Sequence, residues 1–397
     1  MTENLTIYLG LDVGKTNHHA TALTSNGKKI WDKTLPQSEP KIRELLTKLS
    51  TQGTVLLVVD QPKTIGALPI AIAQNIGIQV AYLPGLTMRR VADLHPGEAK
   101  TDAKDAFIIA ETARTMPHTL HGITVADETT SELSMLCGFD DDLAAQATAV
   151  SNRLRGFLTQ IHPHLERVLG PRLSHQAVLG LLKKYPAPAE LHFAGRTKVR
   201  NLLKKKAPRL APKLTEEIFQ ALDEQTVIVA GTASASQIIS SLAAQLELIL
   251  AQRSEAEQQI LDLVEAHPLS AVIRSMPGVG VRTSARILTE VVGKDFKDAS
   301  HLASYAGIAP VDRKSGTSIK GSHASRRGNK ALKRVLFLSA FASLKADQAS
   351  RAYYDRKCAE GKRHNQAVMA LARKRLNVLF AMLRDGCFYE SRVSVGA

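Results

Sequence analysis

Ile7-Tyr8-Leu9-Gly10-Leu11-Asp12-Val13-Gly14-Lys15 is a short apolar run that ends on a carboxylate and a glycine-containing turn. A run of this length between polar flanks predicts a buried strand rather than a helix. The chain then alternates through HATALTS to a turn at Ser25-Asn26-Gly27, and KKIWDKTL predicts the next strand, so a hairpin follows the first strand. SEPKIRELLTKLS predicts a helix with Ser38 as N-cap and Pro40 in its first turn. TVLLVV reads as a fully buried strand, IGALPIAIAQNIG as a helix, IQVAYLP as a strand and DAFIIAETARTM as a helix.

The order βββαβαβα predicts an α/β domain with an RNase H-like fold over roughly the first 122 residues. Open α/β sheets gather ligands beyond the carboxyl ends of their strands, where Asp12 and Asp60 fall. Lys100-Thr101-Asp102-Ala103-Lys104-Asp105 adds two carboxylates three residues apart on one face of a helix start, and the helix macrodipole favours their ionised forms. Four acids converging in one place repel each other unless cations bind. Asp12, Asp60, Asp102 and Asp105 are therefore candidate ligands for Mg²⁺ or Mn²⁺, which can stabilise the attacking and leaving oxygens of a phosphodiester.

Each acid alone also fits a structural role, Asp102 as a helix-start charge and Asp12 as a turn residue. LDVGKT additionally resembles the phosphate loop of actin-like sugar kinases, although no second glycine-rich loop follows. His18 and His19 are adjacent, so on a strand they point to opposite faces and cannot share a metal. MRRVADLHPGEAK predicts a polar connection, with Arg89, Arg90 and Lys100 as a solvated loop or a phosphate-facing rim.

The 397 residues carry 52 Lys and Arg against 37 Asp and Glu, a formal charge of +15, which points to a polyanionic partner such as nucleic acid. The 44% hydrophobic content supports packed cores rather than disorder. The N-terminal residues lack a signal-peptide pattern and no apolar run is long enough to predict a membrane span, so a cytoplasmic protein without a membrane partner is expected. Cys137, Cys358 and Cys387 are widely spaced and make neither a zinc ribbon nor a disulfide framework.

Residues 123–268 predict a helical, coiled-coil-like middle. Glu128 to Leu169 is helix-permissive, broken mainly at Pro163. Leu242, Leu246, Ile249, Arg253, Ala256, Ile260 and Leu263 form a heptad seam that suits either an antiparallel partner helix in the same chain or a dimer. Between them, Arg196 to Lys213 holds eight basic residues and no acid, a candidate nucleic-acid backbone contact.

Residues 269–392 predict a helical C-terminal domain. MPGVGVRTSARILTEV has the form of a helix-hairpin-helix turn whose glycines would let backbone amides approach a phosphate. The stretch after it carries Arg313, Lys314, Lys320, Arg326, Arg327, Lys330, Lys333 and Arg334 against Asp312 alone, a nucleic-acid-binding composition. Ser315 lies among these charges on a predicted loop. Its hydroxyl becomes a nucleophile only if a base removes its proton or cations lower its pKa, and Ser-Gly-Thr-Ser is also an ordinary turn. Tyr353 and Tyr354, in a further basic segment, are expected in the core, with a nucleophilic role left open.

GLDVGK, KTDAKDA, SMPGVGVRTSARIL, YAGIAP, RKSGTSIKG, SRRGNKALKR, YYDRK and GKRHNQA together resemble the insertion-sequence transposases with a RuvC-like DEDD domain, related to the Piv DNA invertases, over nearly the whole chain. The resemblance implies that Asp12, Asp60, Asp102 and Asp105 are the metal-binding tetrad and that Ser315 is the nucleophile of a C-terminal transposase domain. It also implies excision and insertion of a mobile element guided by a noncoding bridge RNA, acting on double-stranded donor and target DNA. The composite active site would be shared between subunits of a homodimer or homotetramer. The family usually has Glu at the second acidic position, where this chain has Asp60. The residues themselves also fit two other readings: a RuvC-like metal-dependent nuclease on branched DNA without serine catalysis, and a non-enzymatic basic DNA-binding protein.

Overall fold

The computed structural model describes residues 6–62, 64–95, 101–123, 128–292, 294, 296–315, 319–325 and 327–391. The chain divides into two compact units, Met1–Ala126 and Asp127–Ala397.

The first unit is a mixed sheet flanked by helices. Strands β1 (Thr6–Asp12), β2 (Asn17–Thr24) and β3 (Lys29–Pro36) form an antiparallel meander. Helix α1 (Glu39–Ser50) leads to β4 (Thr54–Val59), α2 (Ala67–Asn75) and β5 (Gln79–Tyr82), with β4 parallel to β1 and β5 parallel to β4. Helix α3 (Gly85–Ala92), helix α4 (Asp102–Thr115) and a two-residue edge strand β6 (His121–Gly122) complete the order β3-β2-β1-β4-β5-β6. Ser38 takes the extended backbone of an N-cap, but its side chain makes no cap bond. The expected polar connection after β5 is in fact partly helical, because Gly85–Ala92 forms α3.

β1 is central, so both of its faces are covered. Strand alternation sends Ile7, Leu9 and Leu11 into a core with Ile42, Leu46 and Leu49 of α1, together with Val55, Leu57 and Val59 of β4. Each of these side chains stabilises the fold by roughly 1.5–3 kcal/mol when fully buried. The opposite face, with Leu56 and Val58, meets Ile109 and Ala113 of α4. Gly10 lies on that second face, and the helix backbone sits almost directly on it. A Cβ there would stand 2.3 Å from the Ala106 carbonyl oxygen and 2.5 Å from the Ala110 nitrogen. Ala106, Ala110 and Ala113, spaced four and three apart, are small for the same reason.

The second unit is mostly helical. It comprises α5 (Glu128–Ile161), α6 (Pro163–Leu169), α7 (Gln176–Lys184), α8 (Pro188–Lys206), α9 (Ala211–Asp223), α10 (Thr232–Ala266), α11 (Ser270–Arg274), α12 (Val281–Glu290) and α13 (Ala299–Tyr305). A hairpin of β7 (Pro310–Ser315) and β8 (Ile319–Ala324) follows, then α14 (Lys330–Ala346), α15 (Gln348–Ala359) and α16 (His364–Asp385). Its apolar side chains segregate into two large cores and a small one of Ala340, Val368, Leu371 and Ala372 between α14 and α16. One large core contains Leu154, Leu179, Leu214 and Leu246; the other contains Leu133, Ile260, Ile273, Leu288, Leu332 and Leu376.

The heptad seam of α10 is used inside the chain. Leu242, Leu246 and Ile249 are buried in the first core with Leu143, Val150 and Leu154 of α5. Arg253, the polar member of the seam, pairs with Asp140 of α5 at 2.9 Å, and Asp140 also accepts an ion pair from Arg282 of α12 at 3.2 Å. By length and composition α10 is the one helix among the described residues that could cross a membrane, yet its seam is packed against α5.

The Pro-Gly bend before α12 is closed in on by a neighbouring helix. Gly278 has φ of 78°, and a Cβ there would stand 2.5 Å from the Ser339 carbonyl oxygen of α14. The buried Arg375 guanidinium donates to the Pro277 carbonyl. Contact with α14 thus requires a glycine at this position, whereas nothing among the described residues crowds Gly280.

Two outcomes test these contacts. Gly10→Ala is expected to cost about 1–3 kcal/mol or more in chemical denaturation, because backbone cannot move aside as a side-chain tip can. Asp140→Ala leaves two arginines without their shared carboxylate and is expected to cost about 2–4 kcal/mol, with Arg253→Ala far less damaging in the Asp140→Ala background than alone.

Candidate active site

The end of β1, the end of β4 and the start of α4 meet at one cleft of about 1010 Å³ in the first unit, and Asp12, Asp60, Asp102 and Asp105 all line it. Alternation directs Asp12 to the same face as Gly10, the face that α4 covers. Asp60 follows β4 directly, and its Oδ1 accepts from the Val13 amide at 3.5 Å, tying the two strand ends together. Asp102 continues the Ala106–Ala110 stripe by one turn, so the helix face seated on β1 carries this carboxylate to the cleft. Thr101 caps α4 by accepting from the Lys104 amide at 3.2 Å, which places both acids in the first turn.

Hard divalent cations take oxygen ligands, and four carboxylates around one cleft are a donor set of that kind. Burial raises the Asp60 pKa, with the Val13 amide opposing the shift, so neutralisation by a cation would relieve a cost already present. Among the described residues, however, no three acids, histidines or cysteines stand close enough to hold one ion as they are placed. Joint ligation therefore requires side-chain rotation at the strand ends and at α4.

The loop after Asp12 is fastened from below. His18 is buried; its Nδ1 accepts from the Gly14 amide at 3.1 Å and its Nε2 faces Gln37 Oε1 at 2.5 Å. These partners select the neutral ring protonated at Nε2. Gln37 in turn donates to the Ile65 carbonyl at 2.9 Å. The Gly14 amide is thus spent on His18, which disfavours the sugar-kinase phosphate-loop reading. His19, on the other face, pairs with Asp32 at 2.9 Å.

Asp93 and His95 also line the cleft, and sequence reasoning did not single them out. The His95 ring stands edge-on to Phe107 with centroids 6.2 Å apart. Of the expected basic rim, Arg89 lines the cleft, Arg90 is exposed outside it and Lys100 lies outside the described residues.

In the second unit, Ser315 is the last residue of β7, opposite Ile319 of β8, rather than a residue of a loop. Arg313 and Lys314 lie on the same strand, and Lys320 on β8 pairs with Lys314. Arg326 lies outside the described residues. Arg327, Lys330 and Arg334 are exposed, and Lys333 donates to the Ser325 carbonyl at 3.0 Å. The base of the hairpin is held by a network missed in the sequence. Glu290 accepts from Asn329 Nδ2 at 2.7 Å, from the Tyr305 hydroxyl at 3.1 Å and from Lys294 at 3.1 Å. Its only sequence signal is Asn329 as N-cap of α14.

Tyr353 and Tyr354 are half-buried, at the edge of the small core of Ala340, Val368, Leu371 and Ala372. Arg356, Lys357 and Lys374 surround the Tyr353 ring at 5.1, 5.5 and 4.7 Å from its centroid. The Tyr354 hydroxyl lies 2.7 Å from His364 Nδ1, and hydrogen bonding to Cys358 raises its pKa, which disfavours a phenolate nucleophile.

Desolvation lowers the His18 pKa below its ordinary value, against the opposing hydrogen bond that its ring donates to Gln37. The unfolded chain then binds the proton first, so stability is expected to fall as pH drops below about 6.5 and to level off below the lowered folded pKa. Thermal melts of wild type and His18→Gln across that range test this: the variant is expected to show a flatter pH dependence.

Comparison with known proteins places these features. Residues 9–163 match a family model described as a transposase, of the IS110 DEDD type, and residues 270–355 match one described as transposase of the IS116/IS110/IS902 family. The chain is 60% identical to an insertion element IS110 uncharacterized 43.6 kDa protein of Streptomyces coelicolor, over 100% of this chain and 98% of that protein. It is 35% identical to an insertion element IS900 uncharacterized 42 kDa protein of Mycobacterium paratuberculosis, over 98% of this chain and 99% of that protein. A pilin gene-inverting protein of Moraxella bovis is 31% identical over 35% of this chain and 46% of its own length. The chain belongs to the IS116/IS110/IS902 family of transposases, enzymes that cut and rejoin DNA.

Proposed function

We propose that the protein excises and inserts its own mobile element, with the aspartate cleft and Ser315 as the two halves of the chemistry. The observation that carries this reading is the placement of Asp12, Asp60, Asp102 and Asp105 on one cleft, from two strand ends and a helix start. The first unit is read as an RNase H-like, RuvC-like domain, the helices to about residue 268 as a linking region with the basic insert, and residues 269–392 as a transposase domain. The four aspartates would hold Mg²⁺ or Mn²⁺, which supplies electrostatic stabilisation of charge developing on phosphodiester oxygens.

Ser315 Oγ attacks phosphorus, forming a phosphoserine ester as the DNA P–O bond breaks and a DNA hydroxyl leaves. A DNA hydroxyl of the new partner strand then attacks that ester, rejoins the DNA and returns the serine, so the sequence needs no external energy source. The cationic composition around Ser315, from Arg313 to Arg334, supports stabilisation of the crowded phosphorus. In this reading the enzyme acts in the cytoplasm as a homodimer or homotetramer on double-stranded donor and target DNA. A noncoding bridge RNA supplies target choice by base pairing.

The decisive test is excision in cells carrying the protein with the noncoding flanks of its locus, scored by PCR across the joined ends. Ser315→Ala and Asp102→Ala are each expected to abolish the joined product at unchanged protein level. Loss with Asp102→Ala alone would leave a metal-dependent nuclease without serine catalysis, and unchanged product in both would overturn the mechanism. Asp60→Glu restores the residue usual in the family and is expected to retain excision, whereas Asp60→Asn is expected to lower it at least 100-fold, on the order seen when metal-site carboxylate support is lost.

A further inference from the structure

Helix α8 carries a dense cationic surface within residues 164–269, the stretch between the two matched by the transposase family models. One face of the helix is fixed: Leu191, Val199 and Leu203 are fully buried in the first core of the second unit. On the opposite side Lys198, Arg200, Lys204 and Lys205 are exposed, and none makes an ion pair among the described residues. Neighbouring Arg196 and Lys206, by contrast, reach Glu216 at 3.6 Å and Glu247 at 3.3 Å.

Helix chemistry does not account for all of this charge. Lysines 204 and 205 lie in the last turn, where cations suit the macrodipole. Lys198 lies instead in the first turn after Gly195, whose φ of 77° and ψ of 159° break α8 and start a new helical segment, and Arg200 lies in the next turn, away from either end. A cation in a segment's first turn opposes its dipole, so folding alone does not favour Lys198 there. Two residues before the break, Phe193 is 91% exposed, and no aromatic or cation–π contact shields its ring among the described residues.

Exposed cations that follow a bare aromatic ring by five to twelve residues match in kind the two parts of an unpaired nucleic-acid strand, its phosphates and its uncovered base faces. A duplex covers those base faces, and a second copy of this surface would bring like charges together. Cutting and rejoining DNA generates unpaired strands. We propose that α8 is a binding site for single-stranded DNA, with Lys198, Arg200, Lys204 and Lys205 on the backbone and Phe193 stacked on a base. This site goes beyond the aspartate and serine reading and does not rest on it.

The test is fluorescence anisotropy of the full-length protein with a labelled oligonucleotide of about 20 nucleotides, as single-stranded DNA, duplex DNA and single-stranded RNA, across a salt series. The variants are Phe193→Ala and the quadruple Lys198→Gln, Arg200→Gln, Lys204→Gln, Lys205→Gln; melting temperature is the control for folding. Phe193→Ala is expected to weaken single-stranded DNA binding at least about fivefold at an unchanged salt slope, with duplex binding unaffected. The quadruple variant is expected to reduce the slope of log affinity against log salt by about 3, from about 0.7 per lost phosphate contact. Unchanged binding in both variants overturns the proposal. So does equal loss on the duplex, loss confined to RNA, or a Phe193→Ala effect on sedimentation alone, which would make the ring a chain–chain contact. The assay contains no cutting step, so a failed excision test and a failed binding test are separate results.

Discussion

The first unit depends on a contact with no side chain in it. Gly10 lets the backbone of α4 lie on β1, closer than any residue with a Cβ would permit. That contact fixes the helix in height and rotation, and the acids ride on its first turn. Alternation along β1 then brings Asp12 to the covered face, and the parallel partner β4 ends beside it with Asp60. The cleft is therefore a consequence of backbone packing, and the carboxylates are placed by rigid elements rather than by long loops. The cost appears at Asp60, whose burial disfavours its charge until something in the cleft offsets it.

Much of this was legible in the chain. Short apolar runs ending in Asp12 and Asp60, and the Thr101-Asp102 helix start, are local signals of strand length and capping, and the structure has those elements where they predict. α3 was missed because Pro84-Gly85 reads as a turn and Arg89-Arg90 breaks the apolar pattern; its packing on α4 supplies what propensity does not. The strand around Ser315 was hidden by Ser, Gly and Thr, which read as turn residues, whereas cross-strand pairing with β8 decides the conformation. The seam on α10 was plain, but periodicity carries no information about which chain supplies the partner. Asp140 answers that, more than a hundred residues away in sequence from Arg253.

The Pro-Gly bend before α12 shows the same limit. A glycine motif records that something comes close to the backbone, and a phosphate and a neighbouring helix demand the same absence of Cβ. Gly278 faces α14, and the Glu290 network and the buried Arg375 brace the same region. The hairpin that carries Ser315 thus rises from a heavily cross-linked polar base, which contrasts with the plain apolar packing of the first core.

Helices α5 and α10 each run through both large cores of the second unit. Leu133 and Cys137 of α5 belong to one core and Leu143 to Ile161 to the other, while α10 divides likewise between Ile249 and Ile260. Each helix is about 50 Å long at 1.5 Å per residue. Neither core can melt without unwinding part of a helix that the other core still needs, and the Asp140 ion pairs sit at the junction. The two cores thereby share two continuous helices, a mechanical route by which packing lost beside the basic insert can lower stability at the hairpin end.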